Sequence, residues 1–332
     1  MSPSVAVFGA AGFTGALTAR LLFRHQSFEL QTITARSDVG KRLDELYPYH
    51  RVPLRLQEFD IERHGDVDAA VVAYPHGAAA PIVASLRERG VRVVDLSADF
   101  RLRDAATYEH WYRKHPAPEL LGDSVYGLPE LYREQIARAD LVANPGCYPT
   151  AALLALYPLA RDGLIDDVVI DAKSGASGAG RAATDKTHFV TVDENVSAYG
   201  VSGHRHTPEI EQELENLGAP GVITFIPHLL PLDQGELVSA YVTASSAAEH
   251  ADLQALFDES YAGEPFVEVV DVPPGVRDVR ETNFCRLSVH RDARSGRIVV
   301  FAAIDNLWKG AASQAVQNLN LMFGLPEEEG IA

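Results

Sequence analysis

The chain is poor in cysteine, in lysine and in long apolar runs, and each shortage excludes something. Two cysteines in 332 residues cannot build a disulfide framework, which points to a reducing, cytoplasmic setting. No apolar stretch approaches the ~20 residues that a helix needs to span a bilayer. Met1-Ser2-Pro3-Ser4 runs into a strand-like segment without the pattern of a signal or transit peptide. Of 29 basic residues only 5 are lysine, leaving 24 arginines, and 46 acidic residues bring the formal charge to −17. That charge argues against nucleic acid and anionic membranes as partners. No internal repeat or low-complexity linker interrupts the chain. What remains, 46% apolar and 23% charged residues, is the composition of a soluble enzyme large enough for two domains.

The most informative stretch is Ala143-Asn144-Pro145-Gly146-Cys147-Tyr148-Pro149-Thr150. It closes an apolar run and opens a helical pattern carrying Leu153, Leu154, Leu156 and Leu159. A cysteine at a helix N-terminus meets free N–H groups and the positive end of the dipole, which favour the thiolate. Gly146 allows the turn, and Pro149 falls in the first helical turn, where a missing N–H costs nothing. Cys147 is therefore a candidate nucleophile. Cys285, alternating with Leu287 and Val289 along a strand-like segment, reads as a core residue.

Upstream, Ser4–Phe8 is a short apolar strand followed by Gly9-Ala10-Ala11-Gly12-Phe13-Thr14-Gly15 and a helical pattern. Strand, glycine turn and helix in that order suit a dinucleotide pyrophosphate, and Gly9, Ala11, Gly12, Phe13, Thr14 and Gly15 are the candidate contacts. The next strand ends at Arg36 and Ser37, where an NAD site would favour a carboxylate. A guanidinium and a hydroxyl suit a 2′-phosphate instead, so NADP is expected over NAD. Arg101, just past the strand Val91–Leu96, is a candidate anion clamp. Strands alternating with helices up to about residue 147 predict a doubly wound parallel sheet.

Beyond the Cys147 helix the texture changes. Ser174-Gly175-Ala176-Ser177-Gly178-Ala179-Gly180 is a run of small residues between strong segments, read as backbone brought close to a ligand. His204-Arg205-His206 precedes a helix with Thr207 as its expected cap and Pro208 as its first residue. In an extended lead-in, His204 and His206 share one side and Arg205 takes the other, as acid/base and anion-binding groups would. A zinc site fails for want of further ligands at metal spacing, so no metal is expected. The closely spaced strands Val222–Ile226, Glu236–Ala244, Asn283–His290 and Arg297–Ile304 predict a mainly antiparallel second domain.

Together, Gly9–Gly15, Asn144–Thr150, Ser174–Arg181, His204–Glu209 and Asp305-Asn306-Leu307-Trp308-Lys309-Gly310 make the chain resemble the N-acetyl-gamma-glutamyl-phosphate reductase family, relatives of aspartate-semialdehyde dehydrogenase, from residue 4 to about 325. Trp308 stands where that family more often has a small aliphatic residue. The resemblance implies an NADP-binding Rossmann domain (residues 1–147 and 305–332). Inserted in it (148–304) is an α+β catalytic and dimerisation domain with a mainly antiparallel sheet, like the C-terminal domain of glyceraldehyde-3-phosphate dehydrogenase. It further implies Cys147 as nucleophile, His204 as acid/base with His206 as the alternate, and Arg101 and Arg205 toward the substrate. Ser174, Gly175, Gly178 and Asn306 would lie at the nicotinamide half of NADP (NADPH). The implied reaction reduces N-acetyl-L-glutamyl 5-phosphate to the semialdehyde through a Cys147 thioester, in a homodimer or homotetramer. Related reductases of aspartyl phosphate or of carrier-protein-linked aminoadipyl or glutamyl phosphate are the alternative.

Overall fold

In the computed structural model, which describes residues 2–201, 203–219 and 221–331, the chain forms two compact units, Met1–Gly146 with Ala311–Ala332, and Cys147–Gly310. The first holds seven strands: β1 (Ser4–Phe8), β2 (Glu29–Thr34), β3 (Leu56–Gln57), β4 (Ala69–Val72), β5 (Arg92–Asp95), β6 (Ser124–Tyr126) and β7 (Leu141–Ala143). They lie in the order β3-β2-β1-β4-β5-β7-β6, and every pairing is parallel. This is the Rossmann arrangement expected from the alternation of strands and helices. Ala69-Ala70-Val71-Val72 is buried throughout, as a strand covered on both faces must be. The order reverses between β1 and β4, and a crevice at the carboxyl ends of such strands is where doubly wound sheets bind ligands. The helix Ser313–Met322, buried along its whole length, returns to this unit from the end of the chain. The edge strands β3 and β6, two and three residues long, are too short to leave a period in the sequence.

The second unit carries β8 (Ile165–Ser174), β9 (Ser197–Ala198), β10 (Thr224–Leu229), β11 (Glu236–Ala244), β12 (Val267–Val269), β13 (Cys285–Arg291) and β14 (Ile298–Ile304). Their order is β12-β13-β14-β11-β8-β10-β9. The sheet is mixed: its centre is antiparallel, as is β9 on β10, but β8–β10 and β12–β13 run parallel. The helix Thr207–Asn216 lies in the crossover between β8 and β10, and such a connection brings strands back in the same direction. Cys285 is fully buried with Leu287 on the same face of β13.

The centre of this unit is the helix Cys147–Arg161, which packs on β11, on β14 and on the helix Thr207–Asn216. It is buried along nearly all of its length, although Pro158 lies inside it. Proline lacks the N–H that would bond the carbonyl of residue 154. The Tyr261 hydroxyl donates to that Leu154 carbonyl instead, so the buried helix keeps its backbone satisfied.

Compared with the boundaries expected from the sequence, Cys147 and residues 305–310 group with the second unit. The helix starts at Cys147 itself, and Asn306 bonds to Gly235 and Ser177 of that unit. Among the described residues no helix is long and apolar enough to cross a membrane, and no cluster of three His, Cys, Asp or Glu residues is placed to hold a metal ion.

Candidate active site

The strand end feeding the Cys147 helix is tied down within the first unit. Asn144 is fully buried. Its N–H donates to the Asp95 carbonyl at 2.8 Å, its side-chain oxygen accepts from Asn318 Nδ2 at 3.0 Å, and its carbonyl accepts from Arg101 Nε at 2.8 Å. Arg101, 6% exposed, also donates to the Leu96 carbonyl at 2.9 Å. A residue expected to grip an anion thus holds two backbone carbonyls, a positioning task the sequence did not reveal.

Cys147 is the first residue of its helix and is partly exposed, the setting that stabilises a thiolate. A methyl group at Gly310 would come 2.8 Å from the Cys147 Cβ, so only glycine lets the 305–310 turn pass so close. Glu236, fully buried at the start of β11, has its carboxyl toward the Cys147 thiol. Burial pushes its pKa up to about 8, while the neighbouring thiol acts the other way. Nothing in the sequence marked Glu236, which opens a strand like any alternating residue.

The next side chain, Tyr148, is the hub of an aromatic cluster. Its ring meets His204 and His206 edge-on, both at 5.9 Å between centroids, and Phe225 at 5.5 Å. Its hydroxyl lies 3.1 Å from that of Tyr199, and burial drives both phenols upward, Tyr199 to about 12. Both therefore stay neutral hydrogen-bonding groups near neutral pH.

The two histidines lie 4.9 Å apart and are half-buried, while Arg205 between them is exposed. They are brought together by a turn rather than by an extended strand: the Thr207 N–H donates to the His204 carbonyl. His206 rather than Thr207 occupies the cap position, with helical backbone and no side-chain capping bond. His204 Nδ1 accepts from the His206 N–H at 3.1 Å, so its neutral ring carries the hydrogen on Nε2. Burial, aided by the Arg205 charge, lowers its pKa to about 4, and the ring is uncharged at neutral pH.

The small-residue loop is laced to the chain's own backbone. The N–H groups of Gly175, Ala176 and Ser177 donate to the carbonyls of Gly235, Leu232 and Asp233. A Cβ on Gly175 would fall 2.6 Å from the Asp233 oxygen. Ser174 is buried, whereas Gly178 is exposed. Asn306 clamps this loop, accepting from the Gly235 N–H at 2.7 Å and donating to Ser177 Oγ at 3.0 Å. Closeness to protein backbone therefore accounts for Gly175, while Gly178 has room around it.

In the first unit the glycine loop leaves β1 with its N–H groups partly used: Gly9 and Ala10 donate to the Thr34 carbonyl. A Cβ on Gly9 would meet the Ala73 oxygen at 2.6 Å, and one on Gly15 the Gly9 oxygen at 2.4 Å. At Gly12 the nearest atom would be 3.8 Å away, so protein packing does not demand a glycine there, and the missing side chain leaves room for a ligand to approach the backbone. The helix Phe13–Phe23 begins at this point without a side-chain cap, leaving the N–H groups of Phe13, Thr14 and Gly15 at its positive end. Tyr47 braces the loop through its hydroxyl on the Ala11 carbonyl at 2.8 Å and its ring against Phe13. These features fit a dinucleotide pyrophosphate. At the end of β2, Arg36 and Ser37 are exposed, and the Arg36 guanidinium lies 5.1 Å from the Tyr74 ring centroid.

Comparison with known proteins identifies the scaffold. Residues 4–139 match the model of the semialdehyde dehydrogenase NAD binding domain, and residues 147–306 that of the semialdehyde dehydrogenase dimerisation domain. An N-acetyl-gamma-glutamyl-phosphate reductase of Pelotomaculum thermopropionicum is 47% identical over 100% of this chain and 98% of its own length. One of Alkalilimnicola ehrlichii is 49% identical over 98% and 97%. The chain belongs to the N-acetyl-gamma-glutamyl-phosphate reductase family. Among solved structures, aspartate semialdehyde dehydrogenase II of Vibrio cholerae superposes with a TM-score of 0.74 at 20% identity, over 98% of this chain and 99% of that one. The aspartate semialdehyde dehydrogenase of Candida albicans with NADP gives 0.73 at 15% identity, over 97% and 99%. The chain thus shares its fold with the semialdehyde dehydrogenases, and a nucleotide-binding domain of the NAD/NADP type is present.

The contact at Gly310 gives a direct test of how tightly Cys147 is set. Gly310→Ala is expected to lower kcat/KM on the order of 100-fold by displacing the thiol, as a small misplacement of a reacting group does. Circular dichroism should show a folded protein. Steady-state kinetics within twofold of the wild type would show that the position of the thiol is not critical.

Proposed function

We propose that the chain reduces N-acetyl-L-glutamyl 5-phosphate to N-acetyl-L-glutamate 5-semialdehyde and phosphate, with NADPH as the reductant. The observation that carries the reading is a partly exposed cysteine at a buried helix's N-terminus, beside a carboxyl and next in sequence to a tyrosine packed on two histidines. Its support from outside the structure is the shared name of the relatives, 47–49% identical over nearly the whole chain.

In this reading the Cys147 thiolate attacks the acyl-phosphate carbonyl and phosphate leaves, giving a thioester. A thioester accepts hydride where a carboxylate does not, which is why the route passes through sulfur. NADPH, when bound, supplies that hydride. His204, whose neutral ring presents Nε2–H, steadies the substrate oxygen as it gains negative charge, with His206 as the alternate in this acid/base role. The Tyr148 and Tyr199 hydroxyls keep the floor of the site neutral. Arg205, exposed beside the histidines, and Arg101 offer guanidinium groups to the anionic substrate.

NADP rather than NAD follows from Arg36 and Ser37 at the end of β2, where no carboxylate stands to meet a ribose 2′-hydroxyl. Gly9 to Gly15 would carry the pyrophosphate, and Ser174, Gly175, Gly178 and Asn306 the nicotinamide half. The enzyme would work in the cytoplasm as a homodimer or homotetramer; for self-association, the support is the match to a dimerisation domain and the exposed Phe189, Val190 and Val196 in the second unit.

The phosphate-dependent reverse assay with N-acetylglutamate semialdehyde and NADP+ tests the reading. Reduction of NADP+ that requires phosphate and is abolished in Cys147→Ser is the expected result. Faster turnover of aspartate semialdehyde, or activity surviving in Cys147→Ser, would refute it. For the cofactor, Arg36→Ala should raise the KM for NADPH ~10-fold or more through loss of the guanidinium–phosphate pair and leave that for NADH nearly unchanged. Equal losses for the two cofactors would remove the basis for NADP.

A further inference from the structure

The Cys147 thiol needs a proton acceptor, and the groups around it are not equivalent. His204 Nδ1 is occupied by the His206 N–H at 3.1 Å, so the ring's other nitrogen already holds a hydrogen and presents a donor. Glu236 differs. It is the first residue of β11, paired with Ser174 of β8 and Ile304 of β14. Both neighbours lead directly into the loops already described, the small-residue loop and the 305–310 turn. Its side chain is fully buried, it opens the strand on which the Cys147 helix packs, with its carboxyl toward the Cys147 thiol, and among the described residues neither of its oxygens has a hydrogen-bond partner. A buried carboxyl is normally hydrogen-bonded or paired. An orphaned one aimed at a thiol is placed to exchange a proton with it.

We propose that Glu236 is the proton acceptor of Cys147, the two groups sharing one proton that lies on the carboxyl whenever the sulfur is bonded to substrate. The proposal rests on the acyl-phosphate reading above and assigns a step within it. The S–H proton passes to the Glu236 carboxylate, leaving thiolate and carboxylic acid. The Cys147 Sγ–carbon bond forms at the acyl carbon, and the carbon–oxygen bond to phosphate breaks, phosphate departing with the electron pair. Hydride addition to the thioester carbon gives a tetrahedral alkoxide held by the His204 Nε2–H. As the carbonyl reforms, the carbon–sulfur bond breaks with its pair returning to Sγ, and Glu236 gives its proton back. The thiol and carboxyl end as they began, and the one proton the overall reduction consumes comes from solvent, to the departing phosphate.

The ionisable groups facing Glu236 are Cys147 and Tyr148 on the helix, Tyr199 across from them, and Asp305 at the end of β14. Asp305 is itself held by the N–H groups of Glu281, Leu307 and Trp308. Two groups that share a proton titrate as a pair. A substrate-free measurement therefore tests the assignment: the rate of alkylation of Cys147 by iodoacetamide from about pH 5 to 9, read by mass spectrometry. In the wild type the rate should rise in two steps, and in Glu236→Gln in a single one. The same variant should lose at least ~10-fold in kcat/KM, the lower range for a proton-transfer group, and bind NADPH as the wild type does. Glu236→Asp should keep two steps, displaced in pH, with partial recovery of kcat/KM.

A Glu236→Gln protein with the wild-type alkylation profile and kcat/KM within twofold would overturn the assignment. If Glu236→Gln fails to fold, Glu236→Asp decides: two displaced steps support the pair, and one step at the wild-type position refutes it. Should the wild type not turn over the acyl phosphate, the substrate reading falls, while the alkylation profile still decides whether thiol and carboxyl share a proton.

Discussion

Everything chemical in this chain depends on where one buried helix begins. The helix Cys147–Arg161 is the core of the second unit, and its first residue is the thiol. A helix start offers unpaired N–H groups and a positive dipole end, so position alone inclines Cys147 toward the thiolate. The chain on either side of that start is fixed within its own unit. Asn144, three residues earlier, is bonded by Asp95, Asn318 and Arg101. Gly310 lets the 305–310 turn close against the cysteine, and Tyr261 repairs the one backbone gap that Pro158 makes further along.

Around that point the protein concentrates neutral polarity rather than charge. The chain as a whole carries −17, a poor host for a phosphorylated substrate. Yet the aromatic groups near the thiol are uncharged near neutral pH, two phenols raised by burial and a histidine lowered to about 4, and burial pushes the Glu236 carboxyl the same way. Burial acts on each of them in the same sense, disfavouring whichever form is charged. Hydrogen-bond donors in such a setting stabilise a developing oxyanion more than they would in water.

Much of this was legible in the sequence because it follows from short-range rules. The strand Ser4–Phe8, the glycine turn behind it and the strand Glu236–Ala244 could be read residue for residue, since period and turn chemistry are local. The Cys147 helix start could be read from Gly146 and Pro149. Features that arise from packing at long sequence separation were not legible. Glu236 and Cys147 are far apart in the chain, and no local pattern distinguishes Glu236 from an ordinary alternating strand residue. The backbone-holding task of Arg101 was not legible because its carbonyl partners come from elsewhere in the fold. The two parallel pairings in the second sheet were missed because direction depends on the crossover, not on the strand's own pattern. The lead-in to the histidines is a turn rather than a strand, and the helix caps at His206 rather than at the expected Thr207.

The central claim is that Cys147 forms the covalent link to substrate, and trapping that link is its most direct measurement. Mixing the protein with N-acetylglutamyl phosphate in the absence of NADPH should release one phosphate per active site. Peptide mass spectrometry should then find an N-acetylglutamyl group on Cys147 and on no other residue. Phosphate release without an adduct on Cys147, or an adduct on another side chain, would contradict the account.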